Sequence, residues 1–165
     1  MANITLKGNA IHTIGSLPEI GTKAANFSLK TVNLETKSLA DFLGKKIILN
    51  IFPSIDTGTC AASVREFNKR AAQLENTVVL CVSKDLPFAQ ARFCGAEGIA
   101  NVEMLSDFTT GNFGKTYELD ITDGPLAYLH SRAVIIIDEK GTIAYAEQVS
   151  EIADEPNYEA ALKVI

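Results

Sequence analysis

Two short apolar runs stand out from a chain that elsewhere alternates or repeats at helical spacing. Ile47-Ile48-Leu49-Asn50-Ile51-Phe52 and Thr77-Val78-Val79-Leu80-Cys81-Val82-Ser83 are rich in β-branched residues and bounded by turn formers, the pattern of strands buried on both faces. Between them Cys60, Val64, Phe67, Ala71 and Leu74 recur on one face of a helix. The three segments predict a strand-helix-strand unit, and a right-handed crossover makes its two strands parallel.

The rest of the chain adds elements around that unit. Residues 3–6 and 10–14 nearly alternate about Gly8-Asn9, as a β-hairpin does, and residues 27–32 alternate again as a half-exposed strand. Ser38 and Asp41 are spaced as a cap for a short helical turn ending at Gly44. Asp85 and Pro87 mark a helix start, with Phe88, Ala91 and Ala96 on its apolar face, Cys94 late in it and Gly98 as its stop. Residues 102–105 read as a strand, and residues 112–117 as a short helix with Phe113 and Tyr117 on one side. Residues 133–138 and 142–147 form an antiparallel pair, and Glu155-Pro156 opens a last helix that is still running at Ile165, which implies a few further residues. With no repeat, linker or low-complexity tract, residues 1–165 are expected to make one domain.

Composition narrows the class. Apolar residues are 47% and charged residues 21%, enough for a core that needs neither metal nor disulfide. A net charge of −5 and a pI near 5.0 argue against a nucleic-acid or anionic-membrane partner. No basic segment followed by an apolar stretch opens the chain, and no apolar run approaches the roughly 18 residues of a membrane span. Three cysteines do not make a disulfide scaffold, so the odd count points to thiol chemistry or plain burial in the cytoplasm.

The candidate chemistry lies in Pro53-Ser54-Ile55-Asp56-Thr57-Gly58-Thr59-Cys60, which joins the first apolar run to the helix. Asp56 and Thr57 are good N-cap residues, placing Cys60 in the first turn and facing inward. Unpaired N–H groups and the positive end of the helix dipole favour an anion there, and the thiolate is the reactive form of cysteine. Thr57 can accept an N–H bond as a cap or aim its hydroxyl at the sulfur, and Pro53, lacking an N–H, can shield one side from water. Cys81, central in the second run, reads as a small buried hydrophobe, while Cys94 reads either as a core residue or as a second thiol. His12 and His130 are far apart in sequence and no Cys-x2–4-Cys pair exists, which argues against zinc. Ala61, Ala62 and Ser63 after Cys60 exclude a Cys-x-x-Cys oxidoreductase.

Pro53-x-x-x-Thr57-x-x-Cys60 resembles the reactive-cysteine motif of the peroxiredoxins. The longer string from Phe52 to Arg65, with Asp85-Leu86-Pro87-Phe88-Ala89-Gln90 and Arg92-Phe93-Cys94-Gly95-Ala96-Glu97-Gly98, is similar to the thiol peroxidase branch, of the atypical two-cysteine type. This resemblance implies an α/β thioredoxin-like fold with a mixed central sheet, helices on both faces and the N-terminal hairpin. It implies Cys60 as peroxidatic nucleophile, Cys94 as resolving cysteine, and Arg132, at a strand start, against the reactive sulfur; read without it, Arg132 would be a solvated charge. It further implies Thr57 and Pro53 as site residues, no cofactor, thioredoxin as reductant, bulky hydroperoxides among the substrates and a homodimer. A disulfide needs Cα atoms within about 7 Å, so a helix carrying one of the two cysteines would partly unwind each cycle. The competing reading is a peroxide sensor that passes its oxidation to a partner protein.

Overall fold

The computed structural model describes residues 1–165. In chain order the strands are β1 (Asn3–Leu6), β2 (Asn9–His12), β3 (Ser28–Thr31), β4 (Thr36–Ser38), β5 (Lys46–Ile51), β6 (Thr77–Ser83), β7 (Glu103–Ser106), β8 (Ala133–Ile137) and β9 (Ile143–Gln148). The α-helices are α1 (Gly58–Ala71), α2 (Pro87–Glu97), α3 (Asn112–Thr116) and α4 (Tyr158–Leu162), and a 3-10 turn spans Leu39–Phe42.

Seven strands form one mixed sheet in the order β4-β3-β7-β6-β5-β8-β9. The predicted strand-helix-strand unit is its centre: β5 and β6 are parallel, with Asn50 opposite Cys81, and α1 is their crossover. Strand β7 extends the parallel set, while β8 joins the other side of β5 antiparallel. Because β5, β6 and β8 are covered on both sides, alternate residues feed two cores. Ile47, Leu49, Ile51, Leu80, Val82 and Ile135 face Phe113 and Tyr117 beside α3. Ile48, Val79, Cys81, Val134 and Ile136 face Cys60, Val64, Phe67 and Phe93 on α1 and α2. Period-2 alternation inside continuous apolar runs thus gives a three-layer fold.

Several expectations shift by a few residues for local reasons. The hairpin turns at Lys7-Gly8, both at positive φ (51° and 78°) as a tight two-residue turn requires, so β2 starts one residue earlier, at Asn9. Ser38 and Asp41 do form a capping box, at the start of the 3-10 turn. Strand β4 is too short and polar to announce itself in the sequence. Helix α1 ends at Ala71, and Leu74 packs on the core from the turn beyond it. The last helix begins at Tyr158 with Asn157 as its cap, the Asn157 side chain accepting from the Ala160 N–H, rather than at Pro156. Phe88 departs furthest: it is 66% exposed, because α2 packs through Pro87, Gln90 and Phe93 instead.

Candidate active site

Cys60 occupies the third position of α1 and is fully buried. It is reached from β5 through a loop whose shape is held by its own polar groups. The Thr57 carbonyl accepts the Ala61 N–H at 3.0 Å, the bond that starts the helix. The Thr57 side chain takes neither predicted role: its hydroxyl donates to the Ser54 carbonyl at 3.0 Å, so it neither caps α1 nor points at the sulfur. Competition from a nearby backbone carbonyl is the ordinary reason a Thr abandons a cap. Pro53 and Thr57 instead line a cleft of about 350 Å³ together with Gly58, Thr59 and Arg132.

Arg132, directly before β8, is only 2% exposed and is no solvated charge. Its Nη2 stands 3.3 Å from the Cys60 sulfur and its Nε donates to the Ile152 carbonyl at 2.9 Å. Nη1 is buried without a hydrogen-bond partner. The antiparallel pairing of β5 with β8 brings this about, since Ala133 lies opposite Ile51 and the residue before it therefore meets the loop leaving β5. A positive, forked donor is thereby fixed between a buried thiol and an open cleft.

Cys94 lies in the last turn of α2, which Gly98 ends in the left-handed conformation (φ 65°). It is half-buried and borders a separate groove of about 600 Å³ with Val32, Ala91, Ile99 and Met104; no residue is common to this groove and the Cys60 cleft. Burial raises its pKa above the ordinary thiol value. Cys81 is fully buried on β6 between these elements, its pKa pushed up to about 12 by burial, against a smaller lowering from Asn50, whose Nδ2 is 3.6 Å from the sulfur. All three cysteines are free. No group of three or more His, Cys, Asp or Glu converges as metal ligands, and no helix is long and apolar enough to cross a membrane.

This arrangement has relatives. The Redoxin family model matches residues 19–162. A thiol peroxidase of Mycobacterium tuberculosis is 54% identical over 165 residues, covering 100% of this chain and 99% of that protein. The chain belongs to the redoxin family, in its thiol peroxidase branch. Among solved structures, a peroxiredoxin-like protein from Aquifex aeolicus superposes with a TM-score of 0.92 at 37% identity, over 98% of this chain and 95% of its own. A thiol peroxidase from Chromobacterium violaceum shares the fold, with a TM-score of 0.91 at 22% identity over 98% and 94%. The redoxin fold is thioredoxin-like, and the sheet order and layers described above are its form in this chain.

Other residues of the site have roles that the sequence does not disclose. Asp85, which the sequence offers as a helix-start signal and as part of a string carrying the resemblance, spends its carboxylate on the Cys60 loop: it accepts from Ser54 Oγ and the Ile55 N–H, both at 2.7 Å, and from Ser83 Oγ at 2.7 Å. Its own carbonyl accepts from Ser106 Oγ. The fully buried Gln90 completes this junction, donating to Ser83 Oγ at 3.2 Å and to the Leu105 carbonyl at 3.0 Å. Asp85 thus ties the loop before Cys60 to the start of the helix bearing Cys94. Two exposed ion pairs join the same elements, Arg65 to Glu97 and Arg92 to Asp56, each at 2.8 Å. Ser54 lies inside the reactive-cysteine string and Asp85 inside the second string, but a contact across 31 positions leaves no periodic signal.

Proposed function

We propose that this chain reduces hydroperoxides at the expense of a dithiol donor, with Cys60 as peroxidatic nucleophile and Cys94 as resolving thiol. The observation that carries the reading is the Arg132 guanidinium, which has one nitrogen on the Cys60 sulfur and another without a partner. The Cys60 thiolate attacks the terminal oxygen of the hydroperoxide. The O–O bond breaks, the sulfur keeps that oxygen as a sulfenic acid, and the leaving alkoxide takes a proton and departs as an alcohol, or as water when the substrate is hydrogen peroxide. Arg132 Nη1 is free to donate to the peroxide oxygens while Nη2 holds the sulfur, which stabilises the charge that shifts onto the leaving oxygen. The Thr57 hydroxyl, at the same mouth, turns from Ser54 to the incoming peroxide as a second donor. Pro53 closes one wall without adding an N–H that would hold water.

The Cys94 thiol next displaces hydroxide from the sulfenic sulfur, giving a Cys60–Cys94 disulfide and water. Cys60 is fully buried under the cleft lined by Pro53, Thr57 and Arg132, whereas Cys94 borders the separate groove, so α1, α2 or both partly unwind for this step. Leaving the apolar groove also relieves Cys94 of the burial that raises its pKa. A thioredoxin-type donor then returns both thiols by exchange.

The same reading treats residues 1–165 as one domain needing no cofactor. Three free thiols suit a reducing compartment, and we take this to be the cytoplasm. It further takes the working form as a homodimer. Exposed Leu86, Phe88 and Phe108 support this, since the segments that carry them leave the adjacent ends of the parallel strands β6 and β7. A second copy would cover this patch. The test is peroxide consumption with thioredoxin, its reductase and NADPH. Sustained turnover supports a catalyst, whereas arrest after one equivalent of peroxide favours the sensor reading.

A further inference from the structure

Helix α1 begins on residues that support a helix weakly. Gly58 opens it and Thr59 follows, the Thr57 side chain makes no cap, and no acidic residue stands in the first turn to complement the helix dipole. Cys60 is buried in that turn, so the turn stays wound only if groups outside the helix hold it, and it must open before the sulfur can leave.

Two contacts from outside hold the first turn. One is Arg132 Nη2 on the Cys60 sulfur at 3.3 Å. The other is the Thr59 hydroxyl, which donates at 2.8 Å to the Ala153 carbonyl, 94 positions away. The segment that receives it is firmly seated: the Glu151 carboxylate accepts from the Ala153 N–H at 3.2 Å and from the Lys7 and Gly8 N–H groups at 3.0 Å each, and the Ile152 N–H donates to the Thr5 carbonyl at 2.9 Å. One turn further along α1, Asn50 Nδ2 on β5 donates to Ser63 Oγ at 3.2 Å, which fixes the point from which the first turn can open.

Peroxide changes the two contacts unequally. The guanidinium holds a thiolate by a charge-assisted bond, and oxidation replaces that anion with a neutral sulfenic acid, so the Arg132 contact weakens. The bond from Thr59 to Ala153 involves neither the sulfur nor its charge and keeps its strength. We propose that Thr59 is a positioning residue whose hydroxyl keeps the first turn of α1 wound after Cys60 is oxidised, and so sets the rate at which the sulfenic acid meets the Cys94 thiol to give the disulfide and water. This rests on the peroxidase reading above.

The experiment follows fully reduced protein after one equivalent of hydrogen peroxide by rapid quench and mass mapping, in wild type, Thr59→Val and Thr59→Ser. Valine keeps the shape and removes the donor, whereas serine keeps the donor. The first-order conversion of Cys60 sulfenic acid to disulfide is expected to be about fivefold faster in Thr59→Val, the effect of one ordinary hydrogen bond, and within about twofold of wild type in Thr59→Ser. A Thr59→Val rate equal to or below wild type overturns the proposal, and so does a Thr59→Ser rate as fast as that of Thr59→Val, which would assign the effect to the methyl group. A wild type whose Cys60 stays a thiol, or whose sulfenic acid never pairs with Cys94, overturns the peroxidase reading or its resolving step instead, which keeps the failures distinct.

Discussion

Arg132 Nη2 stands 3.3 Å from the sulfur of Cys60, inside a site where both residues are almost wholly shielded from solvent. The contact is set by backbone on two sides, the β5–β8 pairing and the Ile152 carbonyl on Nε, so the guanidinium has little freedom to stand elsewhere. Replacing it with lysine keeps a positive charge but removes the fork that serves sulfur, carbonyl and cleft at once. Arg132→Lys is expected to slow Cys60 oxidation by about 10²–10³-fold, the range for losing an oriented donor to developing charge. Stopped-flow measurement of the reduced protein with excess hydroperoxide checks this.

Cys81 is predicted to be a spectator. With its pKa near 12 and no exposed surface, it is protonated and unreachable at neutral pH. Cys81→Ala should leave turnover within about twofold of wild type, as expected for a buried thiol outside the chemistry. In the folded wild type Cys81 should also resist iodoacetamide at pH 8, as read by peptide mapping after quenching.

The ion pair between Arg65 and Glu97 is bidentate, and the Arg65 guanidinium also lies over Phe93, 5.7 Å from the ring centre. These contacts hold the C-terminal turns of α2 against α1, where Cys94 must come free. Exposed pairs of this kind are weak, so Arg65→Gln is expected to speed disulfide formation only about twofold while leaving the oxidation step unchanged. Rapid-quench thiol counting separates the two steps, and a slower second step would contradict the latch.

Glu151 gives the fold an acid-sensitive joint. Hydrogen bonds from the Gly8 N–H and the Thr5 hydroxyl, outweighing desolvation, pull its pKa down from 4.5 to about 2. A depressed carboxylate contributes stability above its unfolded pKa and loses it as the pH falls through the folded one. The stability difference between wild type and Glu151→Gln should therefore be constant above pH 5 or so and shrink as the pH falls toward 2. Urea unfolding at stepped pH reads it, and a difference that grows on acidification would contradict the assignment.

What the sequence disclosed follows from which interactions leave a local signature. The buried runs at β5 and β6, the inward face of α1 and the hairpin at the N-terminus were all legible, because burial on two faces and helical packing impose periodicity on neighbouring residues. Cys60 was legible for the same reason, since its place in the first turn follows from the strand, the loop and the helix face. Arg132 was visible only through resemblance: nothing local separates an arginine before a strand from a solvated one, and its burial depends on strand order. The roles of Asp85 and Glu151 escaped, as their carboxylates act across 30 and about 145 positions on backbone N–H groups, which any residue can supply. Thr57 was placed correctly but its hydroxyl was not, because a cap and a turn back to Ser54 use the same residue type.

The most direct test of the two-cysteine cycle is intact mass and peptide mapping of the fully reduced protein after one equivalent of cumene hydroperoxide, in wild type and Cys94→Ser. The wild type should lose the mass of two hydrogens and yield a Cys60–Cys94 linked peptide, while Cys94→Ser should stop with a sulfenic acid on Cys60. A Cys60 that remains a thiol in both proteins, or a wild type whose Cys60 is oxidised without Cys94 in the linkage, would contradict the cycle.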